Sequence, residues 1–254
     1  MASSRIDLNA DLGEGFGRWT LGDDEALLGV ISSANIACGF HAGDPSIMRR
    51  TCELAVQRGV AIGAQVGYRD LAGFGRRRID MAADELSADI VYQLGALQAF
   101  AAAAGGRVRY VKPHGALYNT AATDPVQAGA IAAAVASVDA GLPILTLPDS
   151  ALAAAATAAG VRPVSEAFAD RGYRSDGTLV PRSEPQALIS DPDEVAARTL
   201  DLVQTGTVVS IEGVRIPIRP DSICVHGDSP HAVEIATAIR RVLAAAGIEV
   251  TAFS

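Results

Sequence analysis

The stretch that decides the fold is Tyr110-Val111-Lys112-Pro113-His114-Gly115-Ala116-Leu117-Tyr118. A β-prone run leads into Lys112, and Pro113 then removes a backbone donor while Gly115 frees the backbone to turn. The pattern therefore predicts a strand that ends here. Because Lys112 and His114 are two positions apart, their side chains point the same way on an extended chain.

Lys112 is the only lysine among the 21 Lys and Arg residues of the sequence. An ammonium is a compact point charge whose pKa shifts readily on burial, whereas a guanidinium is a planar fork. A lysine kept in such an arginine-biased chain indicates a position where arginine will not serve. The alternative is that a single lysine survived by chance.

The chain has 254 residues, of which 49% are hydrophobic and 20% charged, a composition typical of a globular protein with a large core. We expect one domain over residues 1–254, since α/β barrels commonly reach this length. The net charge of −8 argues against nucleic acid or an anionic membrane surface as the main partner. We expect no secretory signal and no membrane span.

The three cysteines, Cys38, Cys52 and Cys224, are odd in number and show no C-x-x-C spacing. This usage indicates reduced thiols, and hence the cytoplasm, and it provides no thiolate metal site. A homo-oligomer is compatible with the sequence.

Strand-like runs alternate with helix-like ones along the chain. The predicted strands are Ile6–Leu8, Ser33–Ala37, Ala61–Val66, Val108–Lys112, Ile144–Leu147, Val161–Ser165, Ile223–His226 and Glu249–Ala252. Helix N-caps are predicted where a capping residue precedes a proline, at Asp44, Asp124, Asp191 and Ser229. This alternation is typical of parallel strands with helices outside, and seven or eight repeats favour a closed or nearly closed barrel over an open doubly wound sheet.

Two segments interrupt the alternation and are expected as hairpin excursions from the barrel. Residues 171–182 contain the turn signal Asp176-Gly177, and residues 207–218 form two β-prone runs around Glu212-Gly213.

In barrels and open α/β sheets the functional site lies at the carboxyl ends of the strands. The polar residues that fall there are Asp7, Asn9, Asp11, Asn35, His41, Gln65, Lys112, His114, Glu166, Arg171, His226 and Asp228. Such a set could hold a divalent ion, with Asp11, His41 and His114 as candidate ligands. It could equally act without metal as general acids and bases, with Lys112 stabilising developing negative charge. The spacing does not decide between them.

A glycine-rich segment, Gly73-Phe74-Gly75-Arg76-Arg77-Arg78, offers backbone donors and guanidinium groups for a phosphate. A solvated basic loop is an equally good interpretation. No Walker A sequence is present, so this chain is not predicted to hydrolyse ATP by itself.

Long motifs spread over nearly the whole chain resemble the LamB/YcsF family. They are Asp7 to Glu14, Ser33 to Asp44, Gly73 to Arg77, Val111 to Tyr118, Phe168 to Arg171, Asp176 to Leu179 and His226 to Asp228. The resemblance implies a distorted, TIM-like (β/α) barrel related to glycoside hydrolase and carbohydrate deacetylase barrels. It also implies the A subunit of the bacterial ATP-dependent 5-oxoprolinase, which cleaves the lactam of 5-oxo-L-proline to L-glutamate with two partner subunits, B and C, that complete an ATP-binding complex.

One departure from the family pattern stands at Gln65, where many members carry histidine. Glutamine donates and accepts hydrogen bonds but does not titrate, so this position either orients substrate or reflects a different use of metal.

The resemblance leads to a hypothesis for the roles of the site residues. Asp11 and His114 would activate water, Lys112 and His41 would stabilise the oxyanion, and His226 and Asp228 would complete the site. Arg171, Arg76 and Arg77 would hold a carboxylate or phosphate. Two alternatives remain open, namely a metal-dependent deacetylase of an acylated sugar or amide and a non-catalytic protein that binds the lactam.

Overall fold

The first strand, β1 (Arg5–Leu12), shows how the barrel is built in this computed structural model, which describes residues 5–254. Its apolar residues are buried beneath the helices. Asp7, Asn9 and Asp11 alternate with them and contact side chains from other strands across the lumen. The strand is longer than predicted, so Asn9 and Asp11 belong to it and do not follow it.

Within the described residues, seven parallel strands close into a barrel, as the alternation predicted. They are β1, β2 (Ser33–Ala37), β3 (Ala61–Val66), β4 (Val108–Pro113), β5 (Ile144–Thr146), β6 (Pro163–Phe168) and, after a hairpin described below, Ser222–Val225. The strand Ser222–Val225 pairs with both β6 and β1, so the sheet is closed and the open-sheet alternative is wrong.

The helices cover the outside of the barrel. They are α1 (Asp24–Leu27), α2 (Pro45–Arg58), α3 (Ala83–Ala103), α4 (Gly115–Ala121), α5 (Pro125–Asp139), α6 (Ala151–Ala158), α7 (Pro192–Thr205) and α8 (Ala232–Ala245). In the part of the chain that the structure describes, no helix has both the length and the apolar character that crossing a membrane requires.

Three of the four predicted N-caps are confirmed. The carboxylates of Asp44, Asp124 and Asp191 accept backbone N–H groups from the first turns of α2, α5 and α7. The prediction for Ser229 is wrong, since α8 begins only at Ala232. The Ser229 hydroxyl donates to Asp170 instead, at 3.3 Å, which draws it toward the barrel mouth.

Both hairpin excursions are confirmed. Strands β7 (Thr207–Val209) and β8 (Arg215–Pro217) pair antiparallel, and the closing barrel strand Ser222–Val225 is therefore β9. In the segment 171–182, Tyr173 bridges antiparallel to Leu179 around the predicted turn. A short final strand, β10 (Glu249–Val250), pairs parallel with the start of β1.

The amino-terminal end of the barrel is closed by an apolar floor. Phe253 packs edge-on against Tyr110 with ring centroids 5.0 Å apart. The other members of this cluster are Ala61, Leu145, Val164 and Ala252. The Tyr110 ring also lies against Gly63, where an added Cβ would stand 2.1 Å from it, so only glycine fits there. The polar lumen residues therefore face the opposite, carboxyl-terminal end.

Candidate active site

Lys112, on β4, lies buried at the centre of the polar half of the lumen. Its Nζ atom lies 2.8 Å from Glu166 Oε1 and 3.3 Å from Asp11 Oδ1, so one ammonium pairs with two carboxylates. It also donates to Cys224 Sγ at 2.9 Å and to Asn9 Oδ1 at 3.3 Å. A buried charge is tolerated only when it is paired and hydrogen-bonded in this way.

The charges of this centre hold one another in the ionised state. Burial would lower the pKa of Lys112, but Asp11, Cys224 and Glu166 raise that pKa well above its usual value. Burial would raise the pKa of Asp11, yet the charges of Lys112 and His226 hold it below its usual value. An ammonium and a carboxylate therefore stand side by side, out of water, at neutral pH.

Amide side chains fix the two carboxylates from below. Asn35 Nδ2 donates to Asp11 Oδ1 at 2.8 Å, and Asn9 Nδ2 donates to Glu166 Oε1 at 2.9 Å. The hydroxyl of Tyr110 in turn donates to Asn35 Oδ1 at 2.7 Å. The apolar floor and the charged centre are thus linked through one hydrogen-bonded chain of side chains.

Beside this centre, the rings of His41 and His114 are stacked, with centroids 4.0 Å apart and planes inclined by 14°. His41 Nε2 lies 3.1 Å from Gln65 Oε1, and His114 Nε2 lies 3.5 Å from Glu14 Oε1. Gly75 covers the stack, since a Cβ there would stand 2.7 Å from the Cβ of His41 and 2.8 Å from His114 Nδ1. The stack is therefore closed to water on that side.

Burial gives the stack an uncharged character. It lowers the pKa of His41 to about 4, and it lowers the pKa of His114 well below its usual value, with His41 and nearby cations adding to the effect. Burial, together with Asp11 and Asp228, raises the pKa of Glu14 well above its usual value. Asp11 and Glu14 are therefore two neighbouring carboxyl groups whose environments move their pKa values in opposite directions, which is the arrangement that separates a base from an acid.

A metal ion shared by Glu14, His41 and His114 fits this arrangement poorly. A possible ligand atom of each residue lies within 4.8 Å of the other two. However, an imidazole nitrogen binds a metal in the plane of its ring, and rings stacked at 4.0 Å with an inclination of 14° do not both point at one ion. Binding would require one ring to leave the stack.

A second group, Asp11, Cys224 and His226, also has possible ligand atoms within 4.8 Å of one another. Here the Lys112 ammonium already contacts both Asp11 and Cys224, so a cation stands where a metal ion would bind. A metal ion added beside it would be repelled. The two donor sets thus favour proton transfer over metal binding.

His226, directly after β9, forms a carboxylate–imidazole pair with Asp170. Its Nδ1 lies 2.9 Å from Asp170 Oδ1, and its ring stacks on Phe168 with centroids 5.4 Å apart. Burial would raise the pKa of Asp170, but His226 holds that pKa below its usual value. The ionised carboxylate fixes the ring, which leaves Nε2 free to exchange a proton with a ligand.

These groups form the base of a cavity of about 490 Å³ at the carboxyl end of the barrel. Its lining includes Asp11, Lys112, His114 and His226, together with the ring of Phe168. The wall is basic and is formed by Arg76, Arg78, Arg171 and Arg182. A cavity with an apolar wall, a few convergent polar groups and ionised residues at its base is typical of an active site.

The structure brings most of the predicted residues together. Asp11, Lys112, His114, His226, Arg76 and Arg171 line the cavity. A second set supports them from behind, namely Asn9, Asn35, His41, Gln65 and Glu166, while Asp228 holds Arg76 at 2.6 Å. His41 therefore backs His114 and does not face the cavity, which contradicts its expected contact with the oxyanion.

Two predicted binding residues lie outside the site. The Asp7 carboxylate accepts hydrogen bonds from Ser32 and Ser33, at 2.7 Å each, and from Ser222, below Asn9 in the lumen. Arg77 pairs with Asp70 on the surface, where 67% of its side chain is exposed. Neither borders the cavity, so the prediction that they bind a ligand there is wrong.

Three residues of the site were not predicted. Glu14 and Asp170 belong to the strand-end segments, and their acidic side chains directly after a strand were the available signal. Cys224 gave no such signal, since its contact with Lys112 depends on the closure of the barrel.

Comparisons with known proteins agree with this geometry. The model of the LamB/YcsF family matches residues 6–254. The A subunit of 5-oxoprolinase from Mycobacterium avium (strain 104) is 62% identical over 248 residues, which cover 98% of each chain. The crystal structure of a lactam utilization protein from Thermus thermophilus is 46% identical, with a TM-score of 0.93 over 98% of this chain and 100% of the other.

A more distant likeness concerns the fold alone. The Bc1960 peptidoglycan N-acetylglucosamine deacetylase is 11% identical, with a TM-score of 0.51 over 99% of this chain and 86% of that one. The predicted kinship with deacetylase barrels is confirmed at the level of the fold, as is the family resemblance read from the motifs.

Proposed function

The chain belongs to the LamB/YcsF family, and from this premise we propose that it is the component of an ATP-dependent 5-oxoprolinase that opens the lactam ring of 5-oxo-L-proline to give L-glutamate. The names of its relatives support this proposal, since they are called A subunits of 5-oxoprolinase and, for the solved structure, a lactam utilization protein. The observation that carries it is the Lys112 ammonium, held by Asp11 and Glu166 at the base of the cavity.

Opening a lactam requires a donor for the carbonyl oxygen, because attack by water places negative charge on that atom. Lys112 is a charged, buried donor that needs no rearrangement to accept this charge. Removing one such donor typically lowers the rate about a hundredfold to a thousandfold. Asp11 and Glu166 keep the ammonium protonated and fixed.

Proton transfer would be divided between two sides of the cavity. His226, held by Asp170, would take a proton from the attacking water. Glu14 and His114 would supply a proton to the ring nitrogen when the carbon–nitrogen bond breaks, since their shifted pKa values keep a proton on this side. Water activation thus moves in this proposal from Asp11 and His114 to His226, and Asp11 acts through Lys112.

ATP would be consumed by the complex, and the two further subunits, B and C, would use it to phosphorylate the lactam oxygen. A five-membered lactam is a stabilised amide, and phosphorylation of its oxygen creates a good leaving group. The cavity would then receive the activated species. Dependence on ATP, together with three buried free cysteines, supports the cytoplasm as the place of the reaction.

The test is 5-oxoproline-dependent ATP hydrolysis and glutamate release by the complex, with and without this chain. We expect both to require it. Glutamate release that is unchanged without the chain would refute the proposal.

Two further outcomes address the alternatives. A stoichiometric divalent ion, with activity that a chelator removes, would favour a metal-dependent deacetylase, whereas we expect a chelator of transition metals to leave glutamate formation unchanged. Full turnover after loss of the Lys112 ammonium would favour a protein that binds the lactam without catalysis.

A further inference from the structure

The cavity reverses the charge of the protein around it. The chain carries a net charge of −8, but the described residues that line the cavity include five cationic side chains, Arg76, Arg78, Lys112, Arg171 and Arg182, and one carboxylate, Asp11. A positively charged pocket on a negative protein concentrates anions. The ligand of this cavity is therefore expected to carry negative charge.

Three of these cations are already paired with carboxylates of the protein. Arg76 Nη2 lies 2.6 Å from Asp228 Oδ2, and Arg78 Nη2 lies 3.3 Å from Asp124 Oδ2. Lys112 is held by Asp11 and Glu166. These cations stabilise the site, but they bring little unbalanced charge to a ligand.

Arg171, the expected anion-binding residue, holds the wall of the cavity together. Its Nε donates to Ala187 O at 3.0 Å, and its Nη2 donates to Val180 O at 2.6 Å. Arg198 ties the same segment down by donating from Nη1 to Arg171 O at 2.6 Å. The segment that carries Arg182 is thereby fixed against the barrel.

Arg182 remains. Its side chain is half-buried and lines the cavity, and within residues 5–254 its guanidinium has neither a hydrogen bond nor an ion pair with a protein group. The nearby carboxylates of Asp11, Asp170 and Asp228 are engaged by Lys112, His226 and Arg76. A half-buried guanidinium with its planar fork of donors free is suited to bind a carboxylate or phosphate with two parallel hydrogen bonds.

We infer that Arg182 binds the anionic group of the ligand in this cavity and so selects small organic acids over their neutral analogues. The identification of that group as the carboxylate of 5-oxo-L-proline rests on the proposed function, and the same fork would take the phosphoryl group of an activated lactam. Burial and the neighbouring Arg76 lower the pKa of Arg182 from its usual value, which is consistent with a cation that lacks its counter-ion.

The experiment measures ligand binding to the intact chain by calorimetry. The variant is Arg182→Gln, and the matched control is Arg174→Gln, on the same segment, whose guanidinium pairs with Glu184 at the surface. The ligands are 5-oxo-L-proline, its neutral carboxamide and inorganic phosphate, each at up to millimolar concentration. Thermal melting of each variant verifies folding.

We expect Arg182→Gln to weaken binding of 5-oxo-L-proline by about tenfold to a hundredfold, the usual effect of losing a charge-assisted pair. Binding of the carboxamide should change less than about threefold, within the scatter of a neutral contact. Arg174→Gln should bind all three ligands as the parent chain does. If phosphate but not the lactam depends on Arg182, the residue still binds the anion, and the phosphoryl group is its source.

The inference is overturned if Arg182→Gln binds the anions like the parent chain, or if the parent chain binds neither anion. These outcomes are separate from the fate of the proposed function. A parent complex that binds 5-oxo-L-proline through Arg182 but never releases glutamate would refute the function and leave the anion site in place.

Discussion

Asp7 and Asp11 lie on the same strand and on the same face, both are buried, and yet they behave in opposite ways. Burial raises the pKa of Asp7 to about 6, against which three serine hydroxyls act only in part. The pKa of Asp11 is held below its usual value because the Lys112 ammonium lies 3.3 Å away. The lower lumen thus holds a carboxylate among neutral donors, and the upper lumen holds one beside a cation.

The difference shows what a buried carboxylate requires in order to stay ionised. Hydrogen bonds from hydroxyls do not replace water fully, and the rise of the Asp7 pKa from 3.8 to about 6 corresponds to about 3 kcal/mol of destabilisation of its charged form. A single well-placed ammonium is enough to reverse the direction of the shift at Asp11. The charge of Lys112 therefore separates the active half of the lumen from its structural half.

The strongest test of this comparison removes the ammonium. Lys112→Met leaves Asp11 and Glu166 buried without a cation, so we expect glutamate release to fall by about a hundredfold to a thousandfold. The free energy of unfolding at neutral pH should fall by about 3–5 kcal/mol. The deficit should be larger at high pH than at pH 5, because the carboxyl groups can then no longer protonate.

Arg109→Met is the matched control, since Arg109 lies exposed on the same strand. It should change neither quantity measurably. Equal turnover of Lys112→Met and the parent complex would contradict the role of the ammonium.

A second test asks whether another charge-paired carboxylate also serves catalysis. Asp170→Asn keeps the size of the side chain but removes the charge that fixes His226, so we expect kcat to fall by about a hundredfold or more. The control is Asp193→Asn, at an exposed carboxylate of α7. If both variants turn over alike in the complex, His226 is not the base.

The smallest effect is expected at Asp7. Its folded-state pKa lies above its unfolded value, so the stability it contributes is complete below about pH 3.8 and is lost as pH rises through about 6. Between pH 5 and pH 7 the parent chain should therefore lose about 1.4 kcal/mol relative to Asp7→Asn. Urea unfolding of both chains at several pH values measures this difference.

Turnover should separate the two halves of the lumen once more. Asp7→Asn should keep glutamate release within about tenfold of the parent, since its change lies outside the group that contacts ligand. A loss as large as that of Lys112→Met would erase the distinction between Asp7 and Asp11.

Much of the fold could be predicted from the sequence, because the turns and caps are local. Asp44, Asp124 and Asp191 each bond backbone groups within the next turn, and the predicted helices begin where they should. The boundaries of β6 were less accessible. It runs from Pro163 to Phe168, whereas the apolar start at Val161 suggested an earlier strand. Its lumen face includes Glu166, so the usual apolar pattern is absent there.

The site was predicted in its centre and missed in its partners. Lys112 was marked by its rarity, but whether an arginine faces the cavity or the surface depends on a distant carboxylate. Arg76 pairs with Asp228 across the barrel mouth, while its neighbour Arg77 pairs with Asp70 in its own loop. Nothing in the local sequence distinguishes the two, since the partner of Arg76 is fixed only when the barrel closes.

The apolar floor formed around Phe253 and Tyr110 makes the barrel a blind tube. Whatever enters at the carboxyl end has to leave by the same opening, past Arg76 and Arg182. A partner protein that delivers a reactive intermediate by covering this mouth would also block the exit of the product. Delivery and release then become successive events at one gate, and the dwell time of the partner on the mouth would set an upper limit on turnover.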